Sequence, residues 1–186
     1  MKSRLILVAI MVASIILYSS PMMLTRVGAV SNYNVTITWT DYTQTHGSFT
    51  TTGLVFINVD GTNYTTPQTF SWPLGSTHNL TAYSYVYDGP HGYVYLFANW
   101  SDSGAAMHVY TVVGPDTVTA NYNTYWAGDL NFDHSVDIYD AVILAGSFGA
   151  TPTSINWNAY ADINHDGVID IFDAIILASN FGKTGP

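Results

Sequence analysis

The chain has 186 residues, 13 acidic and 4 basic side chains, a formal net charge of −9 and no cysteine. That length suits one or two domains, and the missing cysteines exclude a disulfide framework. With so little positive charge the chain cannot neutralise phosphates, which argues against nucleic acid and anionic membrane surfaces as partners.

At the N-terminus Lys2 and Arg4 precede an apolar run of 14 residues, Leu5 to Tyr18, and Val27-Gly28-Ala29 supplies small residues for cleavage. A bilayer core takes about 20 apolar residues, so the shorter run fits a signal peptide over residues 1–29. The alternative is an uncleaved anchor, with Pro21 to Leu24 extending the stretch. Either way the rest of the chain is expected outside the cell, secreted or at the cell surface. Removing the segment leaves Lys183 as the only basic residue. All 13 acidic residues are Asp, and eight of them fall in two 12-residue windows near the C-terminus. Such crowding of like charge calls for a cation.

From Asn32 to Tyr125 apolar residues alternate with Thr, Asn and Ser, the period of half-buried strands. Val35, Ile37 and Trp39 mark the first, and Leu54 to Val59 the second. Asp60-Gly61 is read as a hairpin turn, since Gly accepts the positive φ it needs. His78 to Tyr87, Tyr93 to Trp100, Met107 to Val113 and Thr117 to Tyr122 follow. About seven strands at this spacing predict an antiparallel, Ig-like β sandwich over residues 30–125.

Parts of this stretch resemble the surface β repeats related to the internalin B-repeat and PEGA families. They are Val59-Asp60-Gly61 with Thr66-Pro67, Phe70-Ser71-Trp72 with Gly75 and His78, Phe97-Ala98-Asn99-Trp100-Ser101-Asp102, and Thr117-Val118-Thr119-Ala120-Asn121-Tyr122. The resemblance implies a stalk or spacer and names no ligand.

Chemistry in this domain is not expected. His46, His78, His91 and His108 lack metal-ligand spacing among Asp41, Asp60, Asp88, Asp102 and Asp116, and no nucleophile-elbow or zinc motif occurs. A polysaccharide could stack on Trp39, Trp72 and Trp100, but aromatics in a small sandwich usually fill the core. Asn34, Asn63, Asn79 and Asn99 each begin an N-x-S/T sequon, consistent with a glycosylated outer surface if the host glycosylates.

A shift of 33 residues superimposes Asp129–Gly149 on Asp162–Gly182 with 12 of 21 positions identical, which identifies a duplication. Asp129, Asn131, Asp133, Asp137 and Asp140 stand at loop positions one, three, five, nine and twelve, and Asp162, Asn164, Asp166, Asp170 and Asp173 repeat them. Alternating oxygens that wrap a hard cation are what Ca²⁺ requires, with Ser135 and Val168 giving backbone carbonyls at position seven. Two Ca²⁺ ions are expected. Gly167 makes the sharp turn of the second loop, and His134 replaces it in the first, a departure expected to weaken that site. Val136 and Ile169 are apolar, as expected where paired loops bridge. Each loop runs into an apolar helix, Ile138 to Phe148 and Ile171 to Phe181, with Asp137 and Asp170 as caps and Gly149 and Gly182 at the far ends.

An EF-hand also has an entering helix, for which Tyr125-Trp126-Ala127-Gly128 and Pro152 leave no room. A loop-plus-exiting-helix pair with Asp at the last ligand position is similar to the dockerin family, over about Gly128 to Lys183. The resemblance implies a dockerin domain at residues 126–186 that docks to a cohesin on a scaffold or surface protein, commonly in cellulosome-like, polysaccharide-degrading assemblies. It places Ile138, Tyr139, Ile171 and Phe172 against the cohesin. Tyr139 and Phe172 are the better candidates, since Ile138 and Ile171 could pack inside. The expected protein is therefore a non-catalytic, dockerin-bearing one. A carbohydrate-binding module, a hydrolase subunit and a surface protein that docks to its own chain are the alternatives.

Overall fold

The computed structural model describes residues 30–41 and 53–185. The expected signal peptide and His46 lie outside the described residues. Among the described residues no helix is long and apolar enough to cross a membrane.

Among the described residues nine strands form two sheets. The first has β4 (Gln68–Pro73), β1 (Asn32–Asp41), β9 (Asp116–Trp126), β7 (Tyr93–Trp100) and β6 (Tyr85–Asp88), in that order. The second has β3 (Thr62–Tyr64), β2 (Ile57–Val59), β5 (Thr77–Ala82) and β8 (Met107–Thr111). Alternation drives both, because every second side chain enters one shared core. Val35, Ile37, Tyr95, Val118, Ala120 and Tyr122 come from the first sheet, and Ile57, Val59, Leu80 and Tyr110 from the second. Asp60 (φ 50°) and Gly61 (φ 86°) make the two-residue hairpin between β2 and β3, as the sequence predicts.

The sheet is not wholly antiparallel. The first strand, β1, runs parallel to the last, β9, with Val35 opposite Asp116 and Asp41 opposite Tyr122. Nor is His78 to Tyr87 one strand. It divides at Tyr83 into β5 and β6, which belong to opposite sheets. Trp100 is buried and Trp72 nearly so, while Trp39 is half-buried and stacks on Phe56 at 5.2 Å. These three tryptophans thus pack with the core and do not form a flat sugar platform.

Two helices follow, α1 (Ile138–Ser147) and α2 (Ile171–Asn180), each one residue shorter than predicted. Their second core holds Leu130, Val136, Leu144, Ile163, Ile169 and Leu177. Val94 of β7 belongs to that core too, and Tyr85, Tyr87, Tyr125 and Trp126 pack against it. The β layers therefore complete the core of the helical part, whose own buried apolar residues are few.

The loops do not bridge each other through Val136 and Ile169. Val136 donates to Lys183 O (2.9 Å) and accepts from Gly182 N (2.8 Å). Ile169 donates to Ala150 O (3.0 Å) and accepts from Gly149 N (2.7 Å). Each loop pairs with the segment leaving the other copy's helix, so the two halves interlock.

Candidate metal loops and docking face

Each loop is a nest of short side-chain to backbone hydrogen bonds. In the first, Asp129 Oδ2 accepts from His134 N (2.9 Å), Asn131 Oδ1 from Asp133 N (3.0 Å) and Asp133 Oδ1 from Ser135 N (2.9 Å). In the second, Asp162 Oδ2 accepts from Gly167 N (3.0 Å), Asn164 Oδ1 from Asp166 N (3.0 Å) and Asp166 Oδ1 from Val168 N (3.0 Å). His134, with φ 66°, takes the left-handed conformation that Gly167 takes at 89°. The substitution thus leaves the turn intact.

The twelfth residues close the loops. Buried Asp140 accepts from Leu130 N (2.7 Å), Asn131 N (3.2 Å) and Asp137 N (2.8 Å). Buried Asp173 accepts from Ile163 N (2.8 Å), Asn164 N (3.2 Å) and Asp170 N (2.8 Å). Asp137 and Asp170 cap the helices by accepting from Tyr139 N and Phe172 N, each at 2.8 Å. Capping boxes join each pair, with Asp in the role usual for Glu. Asp137 and Asp170 are thus accounted for as caps whether or not they also reach a cation.

Among the described residues no three His or Asp side chains gather closely enough to form a metal cluster by themselves. A ligand set in these loops must therefore draw on Asn131 or Asn164 and on the carbonyls of Ser135 or Val168. Asp129 Oδ1 weighs more heavily in favour of a cation. It is buried in a residue 1% exposed and has no hydrogen-bond partner. A carboxylate oxygen withdrawn from water without a partner is costly, and a hard cation is the group that suits it.

Burial, then the charge of Asp140, pushes the Asp129 carboxyl up from 3.8 to about 6. A carboxyl raised on folding binds extra protons in the folded state, so without a cation stability falls as pH rises from about 4 to about 6. A cation reverses this by favouring the ionised form. Affinity of the first loop should accordingly weaken as pH falls through about 6. Calorimetric titration at pH 7.5 and 5.5 checks this, and equal affinity at both would remove Asp129 from the ligand set.

The β layers reach the loops directly. The Tyr85 hydroxyl donates to Ile163 O (3.3 Å), and its ring stacks on His165 at 4.1 Å. Tyr125 stacks on His134 at 4.8 Å. Lys183 Nζ lies 3.9 Å above the Trp126 ring and donates to Asn180 Oδ1 (2.8 Å). Sequence patterning missed this contact; its only trace was the run of aromatics beyond what the sandwich core needs.

Ile138 (61%), Tyr139 (67%), Ile171 (56%) and Phe172 (60%) are all exposed, so the isoleucines are not packed inside. Val142 and Ile175, one turn further along, are exposed as well. Ala141, Leu144, Ala174, Leu177, Ala178 and Phe181 line a groove of about 340 Å³ between the helices. The repeated alanines at matching positions were the sequence signal for it.

One further cluster has the order of a hydrolytic triad. Ser76 Oγ lies 3.0 Å from His78 Nε2, and His78 Nδ1 lies 2.7 Å from Asp60 Oδ2. Yet Ser76 Oγ donates to Pro73 O (2.8 Å), and the nearby Gly75 and Ser76 N–H groups donate to Val112 O (2.8 Å) and Pro73 O (3.0 Å). These backbone donors are therefore committed and cannot stabilise an oxyanion. Asp60 also accepts from Asn79 N (2.8 Å), so the string ties two turns together. His91 with Asp88 (2.8 Å) closes a single turn, and His108 with Asp102 (2.9 Å) ties β8 to the turn after β7.

Residues 127–181 match the dockerin type I domain family. No curated protein matches the chain. Among solved structures the chain is similar to a type II cohesin-dockerin domain from Bacteroides cellolosolvens, at 50% identity over 31% of this chain and 87% of that one, with a TM-score of 0.27. It is also similar to an N-terminal interface mutant of a type II cohesin-X-dockerin complex from Acetivibrio cellulolyticus, at 14% identity over 82% of this chain and 97% of that one (TM-score 0.33). A C-terminal interface mutant of the same complex gives 15% identity, the same coverages and a TM-score of 0.32.

Proposed function

We infer, from the premise that residues 127–181 belong to the dockerin type I domain family, that this chain is a calcium-dependent docking protein. Two Ca²⁺ ions would sit in the loops, held by oxygens of Asp129, Asn131, Asp133 and Asp140 and of their counterparts Asp162, Asn164, Asp166 and Asp173. The carbonyls of Ser135 and Val168 complete the sets. The ions supply no chemistry beyond neutralising the carboxylates and fixing the helix starts.

The partner is a cohesin, carried by a scaffold or surface protein. The observation that carries this is the exposure of Ile138, Tyr139, Ile171 and Phe172 at the starts of both helices. Contiguous exposed apolar side chains mark interaction surfaces, and the groove between the helices leaves space for an inserted apolar side chain. Residues 30–125 act as a spacer that also seats the loops, and the parallel pairing of first and last strands supports an Ig-like reading of it. The protein acts outside the cell, in an assembly of the polysaccharide-degrading kind, without catalysing a reaction itself.

The test is affinity for a cohesin from the host's secreted proteins. Tyr139→Ala and Phe172→Ala should each weaken binding about threefold, because the other copy's face remains. The double variant should lose about a hundredfold, or about 2.7 kcal/mol, in the range of a buried aromatic anchor. Chelator should abolish binding by all four proteins. Wild-type affinity in a double variant that still takes up calcium would place the docking surface elsewhere.

A further inference from the structure

The outer face of the second sheet carries an unexplained apolar row. β8 is an edge strand, and its Met107 and Val109 are 71% and 61% exposed, with Val113 beyond it at 78%. Edge strands are usually protected by Lys, Pro or an inward-pointing charge; β8, of sequence MHVYT, has no Lys or Pro, and its His108 is turned inward to Asp102 (2.9 Å), away from the Met107–Val109 face. Its neighbour β5 places Asn79 opposite Val109 and Thr81 opposite Met107. Directly opposed residues share a face, so all four side chains lie together on the outside, while Leu80 between them is fully buried.

Asn79-Leu80-Thr81 is an N-x-T sequon. Two of the other sequon asparagines are engaged through their side chains. Asn63 Oδ1 accepts from Asn58 Nδ2 (2.7 Å) and Tyr83 Oη (2.8 Å), and Asn99 Oδ1 accepts from Asn121 Nδ2 (2.7 Å). Asn79 is held by its backbone alone, through Asp60 Oδ1 (2.8 Å) and Asp60 N (3.0 Å). Its amide faces outward on a strand whose position is fixed.

We propose that Asn79 is an N-glycosylation site and that the attached sugar covers the Met107–Val109 row. The donor class is an oligosaccharide linked through phosphate to a membrane lipid, transferred by a host enzyme after export. Asn79 Nδ2 forms a bond to the anomeric carbon and gives up one proton, while the bond from that carbon to the phosphate oxygen breaks and the lipid phosphate leaves with the electron pair. The C–H faces of the first sugars then pack on Val109 and Met107, and their hydroxyls turn to water. This protects the edge without a charged residue.

Peptide mapping by mass spectrometry of the protein secreted by its host tests the assignment. A glycan mass is expected on the peptide containing Asn79, absent from Asn79→Gln and from Thr81→Ala, with the circular dichroism of both variants unchanged. Enzymatic or chemical removal of the sugar should raise amide exchange along β8 at least severalfold. An unmodified Asn79 in the secreted protein overturns the proposal. So does a secreted protein that is dimeric and becomes monomeric on Val109→Lys, which would make a second copy the cover.

Discussion

Replacing Asp173 by Ala is expected to unfold the helical module even when calcium is supplied. The Asp173 carboxylate is fully buried and accepts three backbone N–H groups, from Ile163, Asn164 and Asp170. Alanine strands those donors at about 1–3 kcal/mol each, and it removes a proposed ligand as well. A loss of about 4–6 kcal/mol is comparable with the whole stability of a small domain. Asp170→Ala should cost only about 1 kcal/mol, because Asp170 supplies a cap to Phe172 N. Helical circular dichroism of the full chain, melted with calcium and with chelator, measures both. Wild-type protein in chelator should also lose helix, since without a cation the carboxylates of each loop repel one another. An Asp173→Ala midpoint within a few degrees of wild type would show that the loop is held by something other than this carboxylate.

Gly128→Ala is expected to be nearly as damaging, for a steric reason. Gly128 has φ +107°, and a Cβ there would stand 2.8 Å from Leu177 Cα. The obstacle is the backbone of α2 and cannot rotate aside. To admit the methyl group, α2 must move from the first loop, breaking the Asn180 Nδ2 to Ala127 O bond of 2.7 Å. We expect a loss of at least about 3 kcal/mol, the sum of left-handed strain and overpacking. Gly167→Ala is the control. It has φ +89° but nothing within 4 Å of the added Cβ, so only backbone strain of about 1–2 kcal/mol applies. Urea unfolding of the two variants separates the effects, and equal losses would mean that the close approach at Gly128 contributes nothing.

Both predictions concern a module that is not closed on itself. Val94 from the sheet enters its core, and the Tyr85 hydroxyl binds the second residue of the second loop. A fragment beginning at Trp126 would expose that surface, so the loops are best studied in the full chain.

The loops were legible from sequence because their geometry is local. Within twelve residues, Asp and Asn at alternate positions can fold their side chains back on the next backbone N–H groups, and Asp at the ninth and twelfth positions completes a cap. The 33-residue repeat made that pattern visible twice. The hairpin at Asp60-Gly61 and the burial of Val35 and Ile37 were local in the same sense, set by a turn and by alternation. What only the tertiary structure decided involves partners far apart in the chain. The parallel match of Val35 with Asp116 joins the two ends of the β layers. The break at Tyr83 leaves only one mark on the alternation, exposed Ser84, since Leu80, Ala82, Val86 and Asp88 stay buried on either side of it. Val136 and Ile169 choose the other copy's helix exit, because an apolar residue in a loop specifies burial but not the strand that supplies it. The aromatics that seat the loops were invisible for the same reason: burial fixes that a ring must be covered, and only the assembled layers determine what covers it.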